Sequence, residues 1–351
     1  LKTLKTSGRN GGRKMARGSA SKIGRVRRCR HAFYYSDILE LQRVAKSIAP
    51  ARGNLIHDCL QAHYNGGDWT KPIVNLQLDL DKVFDEERAE WAEMPKELYR
   101  IVRGYLLAYK SIDVNIKTLA TEVPFEIQLP NGHTYTGYID WIYEDDRGVW
   151  VADHKTVKTL PKETELYMDL QTFMYFEACR TDPNLIKLLQ GKKLMGVVFN
   201  HIRTKAPREP QVLKNGGISK AACDTDIATY FETVRRNGLN VEDYAEMVDK
   251  LKGNVFFRRT KIPVNEKTLY TIKDEIVETL DEIDRLKDKH DRLGDCIKPM
   301  FYRTPLKQRC DWDCEYRDLC YAELAGMNTE NIIAEHYEKR TTREEEQANA
   351  E

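Results

Sequence analysis

Two acids and an amine stand close enough in the chain to do chemistry together. They are Asp140, Asp153 and Lys155, all within "TGYIDWIYEDDRGVWVADHKTVK" at residues 136–158. The segment is rich in β-branched and aromatic residues, which fit a pleated, half-buried strand. Side chains alternate across a strand, so Val149, Val151, Asp153 and Lys155 share one face while Trp150, Ala152 and His154 share the other. Asp153 and Lys155 therefore point together, and Asp140 on the adjoining strand reaches the same spot if the pairing register allows. Two carboxylates converging beside a lysine form a hard-oxygen site for Mg2+ or Mn2+. Such an ion lowers the pKa of a bound water and neutralises charge building on a phosphate, while the ammonium steadies the nucleophile: the chemistry of phosphoryl transfer. A lone D-x-K triplet, by contrast, is commoner as a surface salt bridge.

A second group of reactive side chains lies near the C-terminal end. Cys310, Cys314 and Cys320 sit in "CDWDCEYRDLC", and three thiolates need a fourth ligand to complete a tetrahedral zinc or a cubane iron-sulfur cluster. Cys29 is the natural candidate, with Cys296 or His336 as alternatives. Together with the scattered Cys59, Cys179 and Cys223, these thiols do not read as an evenly spaced disulfide framework, which points to a reducing compartment.

The elements that must position these residues follow from periodicity. "APARGNLIHDCLQAHYNGGDW" carries Leu55, Ile56, Cys59 and Leu60 at helical spacing and stops at Gly66-Gly67, predicting a helix near 52–64 with His57 in its first half. Residues 81–119 also read as helical. "TEVPFEIQL" and "TYTGYIDWIY" are strand-like and joined by "PNGH", whose Asn131-Gly132 suits the positive φ angles of a tight hairpin turn; "VWVADHK" makes a third strand. "ETELYMDLQTFMYFEAC" is helical, with Gln171 and Tyr175 four apart on one face, and "KLMGVVFNHI" is a fourth strand. The resulting core, 52–202, is helix, three strands, helix, strand: an α/β arrangement.

Beyond it, "NHIRTKAPREPQVLKNGGISK" is a long loop bearing Arg203, Lys205, Arg208, Lys214 and Lys220, which would track phosphates or sit solvated. "VFFRRTKIPV" reads as a strand, residues 266–290 as a long amphipathic helix, and 338–351 as a polar, frayed tail. Overall charge is balanced, with 56 Lys plus Arg against 55 Asp plus Glu, so attraction to nucleic acid must come from local patches. Residues 1–30 form one such patch, with eleven Lys or Arg and no acid; 1–20 read as a flexible arm leading into a basic helix. The sequence has no apolar run of the ~20 residues that span a bilayer and is expected to be soluble and cytoplasmic.

The ordered set "GNLIH", "GYID", "VADHKT" and "LQTFMY" resembles the PD-(D/E)XK nuclease superfamily, and within it the RecB/AddB-type nucleases, including CRISPR-associated RecB-like exonucleases and phage relatives. The resemblance runs from about Ser21 to Cys320 on short motifs. It implies a restriction-endonuclease-like core with a mixed central sheet flanked by helices, in a nuclease domain over 21–325 with added helical N- and C-terminal regions, the latter with the cysteines at 266–325. It also assigns roles. His57, Asp140 and Asp153, with the backbone carbonyl of His154, hold one or two divalent ions; Lys155 steadies the attacking water; Gln171 and Tyr175 position the scissile strand. Glu122 falls where many relatives carry an acid, although its default reading is a surface glutamate.

In the iron-sulfur branch of the family, one cysteine near the N-terminus joins three near the C-terminus on a 4Fe-4S cluster, matching Cys29 with Cys310, Cys314 and Cys320; zinc is the alternative. One departure is the three residues between Cys310 and Cys314, where many relatives have two. The implied activity is a DNA exonuclease on single-stranded or end-opened DNA in recombination, repair or phage replication, working with a helicase, recombinase or single-strand-binding partner. A phosphate loop G-x-x-x-x-G-K-[ST] is missing from the sequence, so any motor is another polypeptide. The rival readings are a non-catalytic iron-sulfur DNA-binding protein on the same fold, or a nuclease subunit active only with a helicase or CRISPR partner.

Overall fold

The computed structural model describes residues 16–44, 48–79, 85–221, 223–305, 310 and 314–340. Its strands are β1 (Arg17–Gly18), β2 (Leu41–Arg43), β3 (Lys117–Gln128), β4 (Thr134–Asp145), β5 (Gly148–Val157), β6 (Leu194–Arg203), β7 (Phe257–Pro263) and β8 (Tyr337–Lys339). The chain divides into two compact units: Leu1–Val44, Glu126–Gly137 and Thr271–Glu351 form the first, Ala45–Phe125 and Tyr138–Tyr270 the second.

The second unit holds the expected core order. Most of the sheet runs β4-β5-β6-β7 with β3 on the far side of β4, and β5–β6 is the parallel pair between antiparallel neighbours. The parallel pair requires a crossover, supplied by the helices Leu170–Thr181 and Pro183–Leu189. One sheet face buries Trp141, Tyr143, Trp150, Ala152 and Val198. The helix Ile48–Tyr64 lays Ile56, Cys59 and Leu60, all fully buried, against Leu98, Ile101 and Tyr105 of the long helix Asp85–Asp113. It ends where Gly66 takes φ +74° and closes the last turn onto the His63 carbonyl, a conformation glycine adopts without steric cost.

Three features differ from the periodicity reading. The strand β3 starts at Lys117, inside the stretch expected to be helical, because the long helix stops at Asp113. The single helix expected from Glu163 is two, Glu163–Leu166 and Leu170–Thr181. Asp169 divides them: its carboxylate accepts the Thr172 N–H at 2.9 Å and so opens a new helix at Leu170. The long basic loop contains a small antiparallel bridge, Val212 to Ile218.

In the first unit, the basic helix expected after the arm is Ala20–Arg28, capped by Ser19, and β1 pairs with Thr134 and Tyr135. Both turn residues of the "PNGH" connection have positive φ, +65° at Asn131 and +81° at Gly132. The polar stretch from 338 is not frayed at its start, because Tyr337–Lys339 pairs antiparallel with Leu41–Arg43. The arm up to residue 15 and the tail from 341 lie outside the described residues. Among the described residues, no helix is long and apolar enough to cross a membrane.

A buried ion pair helps to lock the second unit behind the sheet. Arg259 of β7 pairs with Asp113 (Nη2–Oδ2 2.9 Å), donates to the Tyr64 and Tyr105 hydroxyls at 2.7 Å, and lies 3.8 Å over the Tyr109 ring. Its side chain is 6% exposed, so the charge has little water to fall back on. Asp113→Ala should therefore cost about 3–5 kcal/mol, the penalty of stranding a buried cation, read as a lower urea midpoint with an unchanged slope.

Candidate functional site

Regular pairing between β4 and β5 runs from Asp145–Gly148 to Trp141–Ala152. At the next position the Asp140 carboxylate accepts the His154 backbone N–H at 2.7 Å, so the acid is fixed by the neighbouring strand itself. His57 comes in from the Ile48–Tyr64 helix, its Nδ1 3.5 Å from Asp140 Oδ2. Glu122 completes the group from β3: His57, Glu122 and Asp140 each offer a ligand atom, all within 4.8 Å of one another. Glu122 sits at φ +48°, a left-handed conformation rare for a non-glycine residue and often associated with functional sites.

Asp153 and Lys155 share a face as alternation required, with Lys155 Nζ 2.8 Å from Asp153 Oδ2. The amine also donates to Gln171 Oε1 at 2.7 Å, and Gln171 Nε2 donates to the Tyr175 hydroxyl at 2.7 Å. The i, i+4 pair on the helix is thus one relay ending on the lysine. Asp169, whose carboxylate caps that helix, lies 4.0 Å from Lys155 on the other side. The His154 imidazole faces away, its Nδ1 2.7 Å from Asn200 Nδ2 and its ring 5.6 Å from that of His57.

Burial sets the electrostatics. Asp153 is 1% exposed and Asp140 8%, so neither charge is screened by water. Desolvation, then the nearby Asp153 carboxylate, push Asp140 well above the usual carboxylate range, against the His154 N–H that favours its anion. Asp153 is raised as well, chiefly by burial, with Lys155 pulling the other way. Burial alone would lower Lys155, but Asp153, Asp169 and Asp140 outweigh it and raise it above its ordinary value. Burial, His57 and Arg259 hold His154 well below its ordinary value, so its ring is neutral.

All six of the expected catalytic side chains, His57, Asp140, Asp153, Lys155, Gln171 and Tyr175, therefore lie in the second unit around one end of β4 and β5. Glu122, the further acid the resemblance pointed to, groups with His57 and Asp140, while Asp153 turns its Oδ2 to Lys155. Asp169 and Asn200 had no motif to announce them; Asp169 carried only a helix-capping signal.

In the first unit, Cys314 is raised mainly by burial and then by the neighbouring thiols of Cys29, Cys310 and Cys320. Arg303 Nε approaches Cys320 Sγ at 3.1 Å. Among the described residues, no three cysteine sulfurs lie within 4.8 Å of one another. All eight cysteines are free.

A family model described as the PD-(D/E)XK nuclease superfamily matches residues 17–321, and the chain belongs to that family. Its mixed sheet with flanking helices is the restriction-endonuclease-like fold. The solved structure titled "Crystal structure of SSO0001" is 11% identical to this chain, covering 87% of it and 86% of its own chain, at a TM-score of 0.32. No curated protein matches. PD-(D/E)XK nucleases use divalent metals, and the donors present fit such an ion: hard carboxylate oxygens and an imidazole, with the Asp140 anion disfavoured first by burial and then by Asp153, a cost that a cation offsets.

The raised Asp140 has a testable sign. A carboxyl whose folded pKa lies above its unfolded value of about 3.9 stabilises the fold below that pH and loses the contribution as pH rises through the folded pKa. In chelator-treated protein, Asp140→Asn should raise the thermal midpoint at pH 7.5, because it removes the buried charge while keeping an acceptor for the His154 N–H. The gain should vanish at pH 3.5. Equal midpoints at pH 7.5 would show that the carboxylate carries no such penalty.

Proposed function

We propose that the chain is a RecB-type, divalent-metal-dependent deoxyribonuclease that hydrolyses phosphodiester bonds as an exonuclease on single-stranded or end-opened DNA, in recombination, repair or phage replication. The observation that carries the reading is the convergence of Asp140, Glu122 and His57 beside an Asp153–Lys155–Gln171 relay. Mg2+ or Mn2+ held by Asp140, Glu122 and His57, with Asp153 and the His154 carbonyl adjoining, would supply an acidified water and charge neutralisation at the phosphate.

The chain's own groups do the rest. Lys155 stays an ammonium because three acids raise its pKa, so it serves as a donor to the attacking water or the anionic phosphoryl oxygen and not as a base. Gln171 occupies one of its protons and, braced by Tyr175, fixes where the remaining ones point. The neutral His154 ring, anchored by Asn200, backs the strand that presents Asp140 its N–H.

Cys29, Cys310, Cys314 and Cys320 are read as ligands of a 4Fe-4S cluster. The reading rests on the resemblance, since among the described residues these sulfurs are not gathered as a cluster site. A cytoplasmic setting suits the free thiols, and a helicase, recombinase or single-strand-binding protein is the expected partner.

Asp153→Ala and Lys155→Ala should each lower Mg2+-dependent cleavage of an end-labelled strand by about 10²–10³-fold or more, with DNA binding within about twofold of wild type. Cleavage by both variants at the wild-type rate would defeat the reading. Anaerobically purified protein should be brown, with broad absorbance near ~400 nm that Cys314→Ser removes; a colourless, iron-free preparation would exclude the cluster.

A further inference from the structure

A cleft of about 750 Å³ opens in the second unit away from the acids just described. The long helix Asp85–Asp113 lines one wall with Tyr99, Arg100 and Arg103, and the segment after β6 lines the other with Lys205 and Arg208. Gly104 allows the two walls to close at the base, since a Cβ there would meet Pro207 at 3.0 Å. The volume is that of a small-ligand site, large enough for a nucleotide.

The charges in the cleft are unevenly matched. Glu97 is taken by Arg52 (2.9 Å), and Glu209 by both Arg103 (3.2 Å) and Arg236 (2.6 Å). Lys205 pairs with Asp224. Arg100 and Arg208 have no side-chain partner among the described residues, and both are exposed. Two uncompensated guanidinium groups facing one cavity are a binding site for phosphate. Beside them Tyr99 is 45% exposed, and its ring is backed by Trp69 at 5.3 Å and 30°. That buttress holds one ring flat while leaving solvent-facing area for a base to stack on.

The cleft lies on the side of the sheet that carries the long helix, whose Tyr105 bonds Asn200 beside His154. Arg52 precedes His57 by five residues on the same helix, about 7.5 Å along its axis, or roughly two steps of a B-form strand at 3.4 Å each. Gly53 lies against Thr156, which shares the His154 face of β5, and the Thr204 N–H bonds the Val157 carbonyl at 3.0 Å.

We propose that this cleft holds an unpaired nucleotide of a bound DNA strand, with Arg100 and Arg208 on its phosphates and its base on Tyr99. A paired base would present no free face to Tyr99, so the cleft selects single-stranded DNA. The inference rests on the nuclease reading for its substrate, but its test needs no cleavage.

Binding of fluorescein-labelled oligothymidylate to the full chain is followed by anisotropy in EDTA, with a hairpin-closed duplex for comparison. Arg100→Gln/Arg208→Gln should weaken single-strand binding at least about tenfold and reduce the log–log salt slope by about 1.4, two phosphates at 0.7 each. Tyr99→Ala should weaken it about 5- to 100-fold, the range for loss of one stacked base, and change duplex binding less than about twofold. An oligonucleotide bearing 5-iodouracil should photocrosslink to Tyr99. Wild-type affinity and slope in both variants, equal losses on single strand and duplex for Tyr99→Ala, or crosslinks that avoid Tyr99 would each overturn the assignment. Because these readouts are taken without metal, they can fail while Lys155→Ala still abolishes cleavage, or hold while cleavage is absent.

Discussion

Burying carboxylates costs hydration, and Asp140 and Asp153 are held against that cost, with their proximity a secondary penalty on Asp140. Asp140 and Asp153 stand on adjoining strands with almost no solvent contact, and Glu122 joins them from a third. Nothing in a hydrophobic core requires Asp140 and Glu122 to meet at His57 beside a buried Asp153. The sheet holds them there because the backbone leaves them no alternative: Asp140 is tied to the His154 N–H, and Glu122 sits on a strand bent through a left-handed residue. The protein carries this frustration as stored affinity for a cation, which offsets that cost on binding.

Lys155 meets part of that demand permanently. It satisfies Asp153, leaves Asp140 to the opposite side, and is itself held by Gln171 and, at longer range, Asp169. Asp169 has two jobs with one origin. As a helix cap it starts the Leu170–Thr181 helix where Gln171 and Tyr175 will face the lysine, and as an anion it adds to the field that keeps the lysine charged. Helix register and site electrostatics are therefore coupled through one residue.

The opposite face of the sheet has the reverse character. Trp141, Tyr143 and Trp150 form an aromatic floor there, with Tyr64 stacked on Trp141 at 4.0 Å, and the buried Arg259–Asp113 pair is enclosed by tyrosines. Such packing is rigid, since large rings in low-energy rotamers leave few voids to relax into. Rigidity behind the strands is what allows acids in front of them to be held at separations they would not choose.

Much of this was legible in the sequence. Strand alternation put Asp153 with Lys155 and turned His154 away; helical spacing put Gln171 with Tyr175; the Asn131-Gly132 pair announced its turn. These are local rules, set by backbone periods of 2 and 3.6 residues, and a local rule needs no knowledge of the rest of the chain. The helix break at Asp169 was equally local and was masked by the apolar residues around it. What the tertiary structure alone decided is which distant residues meet. Glu122 came within 4.8 Å of His57 and Asp140, and Asn200 came to brace His154, because strand register and the pairing of β5 with β6 set those encounters across tens of residues. Sequence spacing fixes direction along an element; only the folded sheet fixes separation between elements, and metal chemistry depends on separation.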